Sequence, residues 1–102
     1  MSHYKYVAIQ SFKNSGDASD SPIRARPLSG QGFDTSMYVE CSSKMRKKYP
    51  VGTVFIVQAQ IIEKEGWAPF LYTHYNWPYK VISLANAKVK IKNKSLSSSF
   101  II

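Results

Sequence analysis

A single cysteine, Cys41, stands in this 102-residue chain, so no internal disulfide can hold the fold. That cysteine and two histidines show neither a Cys-x-x-Cys nor a His-x-x-x-His spacing, too few ligands for a zinc site, and no metal or other cofactor is expected. Acidic residues are scarce: six Asp and Glu stand against fourteen Lys and Arg, a formal net charge of +8. Only Asp34, Glu40, Glu63 and Glu65 fall outside the polar stretch 13–21, and Glu63 and Glu65 flank a turn, so no carboxylate pair is placed for acid–base catalysis. No apolar run approaches the roughly 18 residues of a membrane span. The first ten residues lack the basic-then-apolar pattern of a signal peptide. With the lone thiol, these absences point to a reducing cytoplasmic location without membrane contact, and the length suits one domain with one core.

Large aromatics and apolar residues concentrate in 53–83, TVFIVQAQIIEKEGWAPFLYTHYNWPYKVIS. Phe55, Val57, Ala59 and Ile61 alternate with Gln58 and Gln60, the two-residue period of a half-buried strand with its odd face in the core. Gly66 and Pro69 mark a hairpin loop at 65–69, and a second strand is predicted over 70–77. Pro78 cannot donate to a ladder, so the strand must end, bulge or lie at an edge there before 79–83 resumes.

Elsewhere, 3–12 reads as a first strand and 13–21 as a polar surface loop whose Asp17-x-x-Asp20 pair is too short a ligand series for calcium. Residues 22–28, bracketed by Pro22 and Pro27, read as a short edge strand with Arg24 and Arg26 on one face. Ser29-Gly30-Gln31-Gly32 lacks the third glycine and the Lys-Ser/Thr of a phosphate loop and reads as a turn. Met37, Val39 and Cys41 share a face of another strand, and Ser42 or Ser43 caps a short helix over 43–49 that Pro50 ends. Strict alternation over 88–94 predicts a last strand with an all-lysine solvent face. The expected fold is mostly β: a small curled sheet or barrel of about six strands, of the general character of oligonucleotide-binding and SH3-like folds. An α+β sheet with a longer helix at the Leu84 segment is the alternative. Residues 1–94 form the domain, and 95–102 a tail whose apolar end, Phe100-Ile101-Ile102, is expected to dock in extended form, with a homo-oligomer as one outcome.

Function is read from charge and rings together. Seven Tyr and two Trp crowd a small basic chain, and aromatic faces stack bases while Lys and Arg hold the backbone. The expected role is non-catalytic binding of single-stranded nucleic acid or RNA. Its candidate residues are Arg24 and Arg26; Lys44, Arg46, Lys47 and Lys48; Trp67, Tyr72, Tyr75 and Trp77; and Lys88, Lys90 and Lys92, spaced about 6.6 Å apart if on one strand face. One alternative is a small metal-independent ribonuclease of toxin type with His74 as base. Another is an interaction module for an acidic protein. Cys41, beside Met37 and Val39, reads as a small buried hydrophobe rather than a nucleophile paired with His74.

Overall fold

The computed structural model describes residues 4–13 and 23–100. At its centre β4 (Val54–Ile62) pairs antiparallel on one side with β1 (Lys5–Lys13), Val7 facing Val57 and Ile9 facing Phe55. On the other side it pairs with β5 (Phe70–Tyr72) at its far end and with β6 (Tyr79–Ile82) at its near end, both antiparallel. β2 (Ile23–Pro27) flanks β1, and β3 (Val39–Glu40) runs parallel to β5. The strand order is therefore β2-β1-β4-β5-β3, with β6 beside β4, and the two ends of the sheet, β2 and β3, lie against each other without a ladder between them. The result is a mostly β domain whose six-stranded sheet nearly closes into a barrel, as the short strands and frequent turns lead one to expect.

Inward-facing Val7, Ile9, Ala25, Val39, Phe55, Val57, Ala59 and Leu71 fill the interior, joined by Met45 from α1 (Ser43–Lys48). The Ser42 hydroxyl accepts the Met45 N–H at 3.3 Å, so the expected cap is formed. β4 departs from the half-buried pattern, because Val54, Phe55, Ile56 and Val57 are all buried. Val54 and Ile56 point outward, with Ala8, into a second cluster roofed by Ala87, Leu96, Ile91 and Phe100. Ile61, expected inside, is exposed; the interior cluster stops at Ala59 and Leu71.

Three further expectations need correction. The strand predicted over 70–77 ends at Tyr72: the Thr73 N–H still reaches the Glu40 carbonyl on the β3 side at 2.8 Å, then a turn closed by Trp77 N–H to His74 O carries the chain outward. Past Pro78, which cannot donate to β4, the chain rejoins that strand as β6.

The strand predicted over 88–94 is instead α2 (Leu84–Lys92), which makes the α+β alternative right about this segment. Leu84, Ala87 and Ile91 sit at i, i+3 and i+7, so a helix turns Ala87 and Ile91 onto the sheet, where a strand would leave half of that surface bare. Ser83 caps it by accepting the Asn86 N–H at 3.1 Å, and Lys94, at φ 55°, ends it in the left-handed region.

Leu96–Phe100, read as polar spacer and extended tail, is a 3₁₀ turn that buries Leu96 and sets the Phe100 ring 5.0 Å from Tyr6 of the same chain. Leu96 and Phe100 cover apolar surface beside Ala8 that the sheet itself leaves open. Ile101 and Ile102, like residues 14–21 of the loop predicted over 13–21, with Asp17 and Asp20, lie outside the described residues, while Lys13 ends β1.

The turn at 29–33 is anchored. Gly30 (φ 91°) and Gly32 (φ 87°) take backbone angles that a side chain resists, and they place Gln31 against the free edge of β1. There its amide accepts from Ala8 N at 2.8 Å and donates to Ala8 O and Leu28 O, both at 2.9 Å, standing in for one residue of an absent strand.

Candidate nucleic-acid interface

Strand alternation decides which side chains reach the outer wall. On β2, Ala25 and Pro27 go inward, so Arg24 and Arg26 go outward, opposite Phe12 and Gln10 of β1. On β3 and β5, Val39 and Leu71 are the inward pair. Tyr38 and Glu40 therefore share the outer wall with Phe70 and Tyr72. This places guanidinium groups over rings: Arg26 lies 5.0 Å from the Phe12 centroid and Arg24 5.4 Å from Tyr38. Tyr38 meets Phe70 at 5.9 Å. Lys64, in the loop between β4 and β5, sets its ammonium 5.8 Å from Phe70 and 5.9 Å from Trp67. Each separation is within the roughly 6 Å over which a cation and a ring attract.

Between these groups runs a groove. One part, about 820 Å³, is lined by Arg24, Tyr38, Glu40, Lys64, Trp67 and Phe70. A second, about 380 Å³, continues past Arg24 and Tyr38 to Phe12 and Arg26. The groove crosses the seam where β2 and β3 meet without pairing. Trp67 is 70 % exposed and Tyr38 48 %, so both rings keep a face open to a ligand. Two carboxylates line the groove as well. Asp34 is engaged: its Oδ1 accepts from the Ser36 hydroxyl at 2.7 Å and the Ser36 N–H at 2.8 Å, and those bonds, the hydroxyl first, hold it below the usual Asp range.

No family model, curated protein or solved structure matches the chain.

The remaining predicted residues fall into separate groups. Tyr72 at the end of β5 gathers with His74, Tyr75 and Trp77 of the excursion 73–78 and with Tyr4 of the amino-terminal segment. Trp77 meets Tyr4 at 5.0 Å and Tyr72 at 5.9 Å, both edge-on, while His74 stacks on Tyr75 at 4.5 Å. Trp77 and Tyr72 are half-buried by one another, and Tyr75 is 72 % exposed. His74 Nδ1 accepts the Asn76 N–H at 3.0 Å, which fixes its ring within the turn. Among the described residues no acid, Lys or Arg side chain hydrogen-bonds to it.

On α1, Lys44, Lys47 and Lys48 are exposed, but Arg46 folds back to donate to Cys41 O at 3.0 Å and Cys41 Sγ at 3.3 Å. Burial pushes the Cys41 thiol up, opposed by Arg46, so the thiol stays protonated and packs with the interior cluster.

The lysine ladder does not form. On a helix, Lys88 and Lys92 share one exposed flank and Lys90 turns away to bond the Ser98 hydroxyl at 2.8 Å. Neither α1 nor α2 lines the groove. Of the thirteen residues predicted, Arg24, Arg26 and Trp67 line it. Phe12, Tyr38, Lys64 and Phe70 line it too and were not anticipated. Lys64 alone had a signal, three residues before Trp67 in the hairpin loop; the others depend on register between distant strands. Among the described residues, no three His, Cys, Asp or Glu side chains gather, and no helix is long and apolar enough to cross a membrane.

Proposed function

We propose that the protein binds single-stranded nucleic acid or RNA along this groove, without cleaving it, in a reducing cytoplasmic setting. The observation that carries the proposal is the alternation of cations and rings along two adjoining depressions that share Arg24 and Tyr38: Arg26 on Phe12, Arg24 on Tyr38, Lys64 between Phe70 and Trp67. A single strand offers phosphates and unpaired bases in the same alternation. Each base stacked on an open ring is worth about 1–3 kcal/mol and each cation releases condensed counterions. A curved sheet presents such groups on its convex wall without closing a pocket around one base, which suits a ligand read by its repeating chemistry. The formal charge of +8 adds long-range attraction for a polyanion.

The test is fluorescence anisotropy with labelled single-stranded RNA and DNA of mixed sequence, with and without chelator, followed by gel analysis of the oligonucleotide. Three groove cations at about 0.7 counterions each make affinity fall roughly 20-fold between about 50 and 200 mM salt. The oligonucleotide is expected to remain intact. Affinity that is indifferent to salt, or absent at low salt, removes the proposal.

A further inference from the structure

We infer that the groove prefers single strands containing guanine and that the Glu40 carboxylate reads that base, an inference that rests on the single-strand reading above. A carboxylate on the wall of a site for a polyanion repels the phosphates it should attract, so its presence calls for a compensating contact. Asp34 has one in Ser36. Glu40 is exposed on the outer wall, directly across from Tyr72 and two residues after Tyr38, which immediately precedes β3. Its carboxylate makes no ion pair or hydrogen bond among the described residues. Side chains two apart on a strand are separated by about 6.6 Å. A base stacked on the exposed ring of Tyr38 lies about one strand repeat from Glu40, within reach of its carboxylate, and Lys64 lines the same groove to take a phosphate.

A carboxylate only accepts hydrogen bonds, so it selects the base edge richest in adjacent donors. Guanine offers two side by side on its Watson–Crick edge, the N1–H and the exocyclic amine, and they match the two carboxylate oxygens. Adenine and cytosine each present one amine next to a ring-nitrogen acceptor that the carboxylate repels. Uracil and thymine present one N–H between two carbonyls. The expected preference is guanine over cytosine and adenine, with uracil weakest, and a bidentate pair of this kind discriminates by roughly tenfold or more.

The experiment uses the full chain and uridine oligonucleotides of about eight residues with one central position varied, so that guanine cannot self-associate. Anisotropy should show a single guanine binding roughly tenfold tighter than uridine. Inosine, which lacks the exocyclic amine, should lose most of that gain. 7-Deazaguanine, altered only on the opposite edge, should keep it. Glu40→Gln should abolish the guanine preference and bind the all-uridine strand more tightly, since a repelling charge is gone; thermal melting by circular dichroism checks that the variant folds, and if it does not, the inosine comparison on the native chain decides alone. Equal affinity for guanine and inosine, or a guanine preference that survives in folded Glu40→Gln, overturns the inference and leaves single-strand binding standing. Failure to bind any strand at low salt overturns the reading beneath it, and this inference with it.

Discussion

Replacing Gln31 with alanine removes three hydrogen bonds from a side chain that occupies the place of a missing strand. The Ala8 N–H, on a residue with no exposed surface, loses its partner at 2.8 Å, and the carbonyls of Ala8 and Leu28 each lose a donor at 2.9 Å. Ala8 O keeps the Leu28 N–H at 3.0 Å, so its loss is partial. An orphaned buried donor costs about 1–3 kcal/mol, and the remaining bonds add less than about 1 kcal/mol each, for a total of about 2–3 kcal/mol. At roughly 4–8 °C per kcal/mol for a domain near 100 residues, the thermal midpoint should fall by about 10 °C or more. Circular dichroism melts and urea titrations on the native chain and Gln31→Ala measure it. Gln31→Glu sharpens the test. It keeps the acceptor but points a carboxylate at two carbonyl oxygens, which raises the folded-state pKa of that acid. A raised acid binds protons more tightly folded than unfolded, so this variant should gain stability as the pH falls from neutral toward the ordinary Glu value of about 4.3. A midpoint for Gln31→Ala within about 2 °C of the parent would show that water replaces the side chain freely and would refute the reasoning.

Arg24→Gln with Arg26→Gln should cut the salt dependence of single-strand binding to about a third, because one groove cation of three remains, whereas Lys88→Gln with Lys92→Gln on α2 should leave it unchanged. Equal effects of the two pairs would move the binding surface off the groove. Trp67→Ala should weaken binding roughly tenfold with little change in melting temperature, since the ring is open to solvent. Trp77→Ala should instead destabilise the fold by about 2 kcal/mol through lost packing on Tyr4, Tyr72 and His74, measured by urea titration. The Cys41 thiol should alkylate slowly at neutral pH in the folded protein and at the ordinary rate in denaturant, because burial keeps it protonated. The same raised pKa means that folded stability declines once the pH passes the unfolded thiol value of about 8.5, and Cys41→Ala should lose that part of the alkaline sensitivity.

Much of the strand inventory was legible because local chemistry and tertiary context agreed. Alternation placed Phe55, Val57 and Ala59 inside, the prolines at 22 and 27 marked an edge strand, and Ser42 with Pro50 bounded α1. Where they disagreed, the pattern misled. Lys88-Val89-Lys90-Ile91-Lys92 alternates as a strand does, yet Leu84, Ala87 and Ile91 also satisfy a helical stripe, and the unroofed outer face of Val54 and Ile56 chose the helix. The unbroken run Val54-Phe55-Ile56-Val57 is a local sign that β4 is buried on both faces there, but what covers the outer face depends on what crosses above it. The site was harder to read. Arg24 and Arg26 were visible as an outward pair, but their partners Phe12 and Tyr38 become neighbours only when strand register and near-closure of the barrel are set. Gln31, a polar residue between two glycines, carries no sign that it completes an edge twenty-three positions away.

The unpaired seam between β2 and β3 gives the barrel a direction in which to breathe. Opening along it would separate side chains such as Arg24 and Tyr38 without breaking a strand ladder among the described residues. A ligand lying across the seam, with contacts on its β2 and β3 sides, has to tie the two sides together as it binds. Occupancy then adds RT ln(1 + [L]/Kd) to the stability of the closed form, roughly 2.7 kcal/mol at a hundredfold excess over Kd. Amide exchange along the two facing strands would slow in step with saturation, and any substitution that stiffens the seam in the free protein would lower the entropy lost on binding. On the proposed reading, the wall of the barrel and the affinity of its groove would be one mechanical quantity, adjustable from either side.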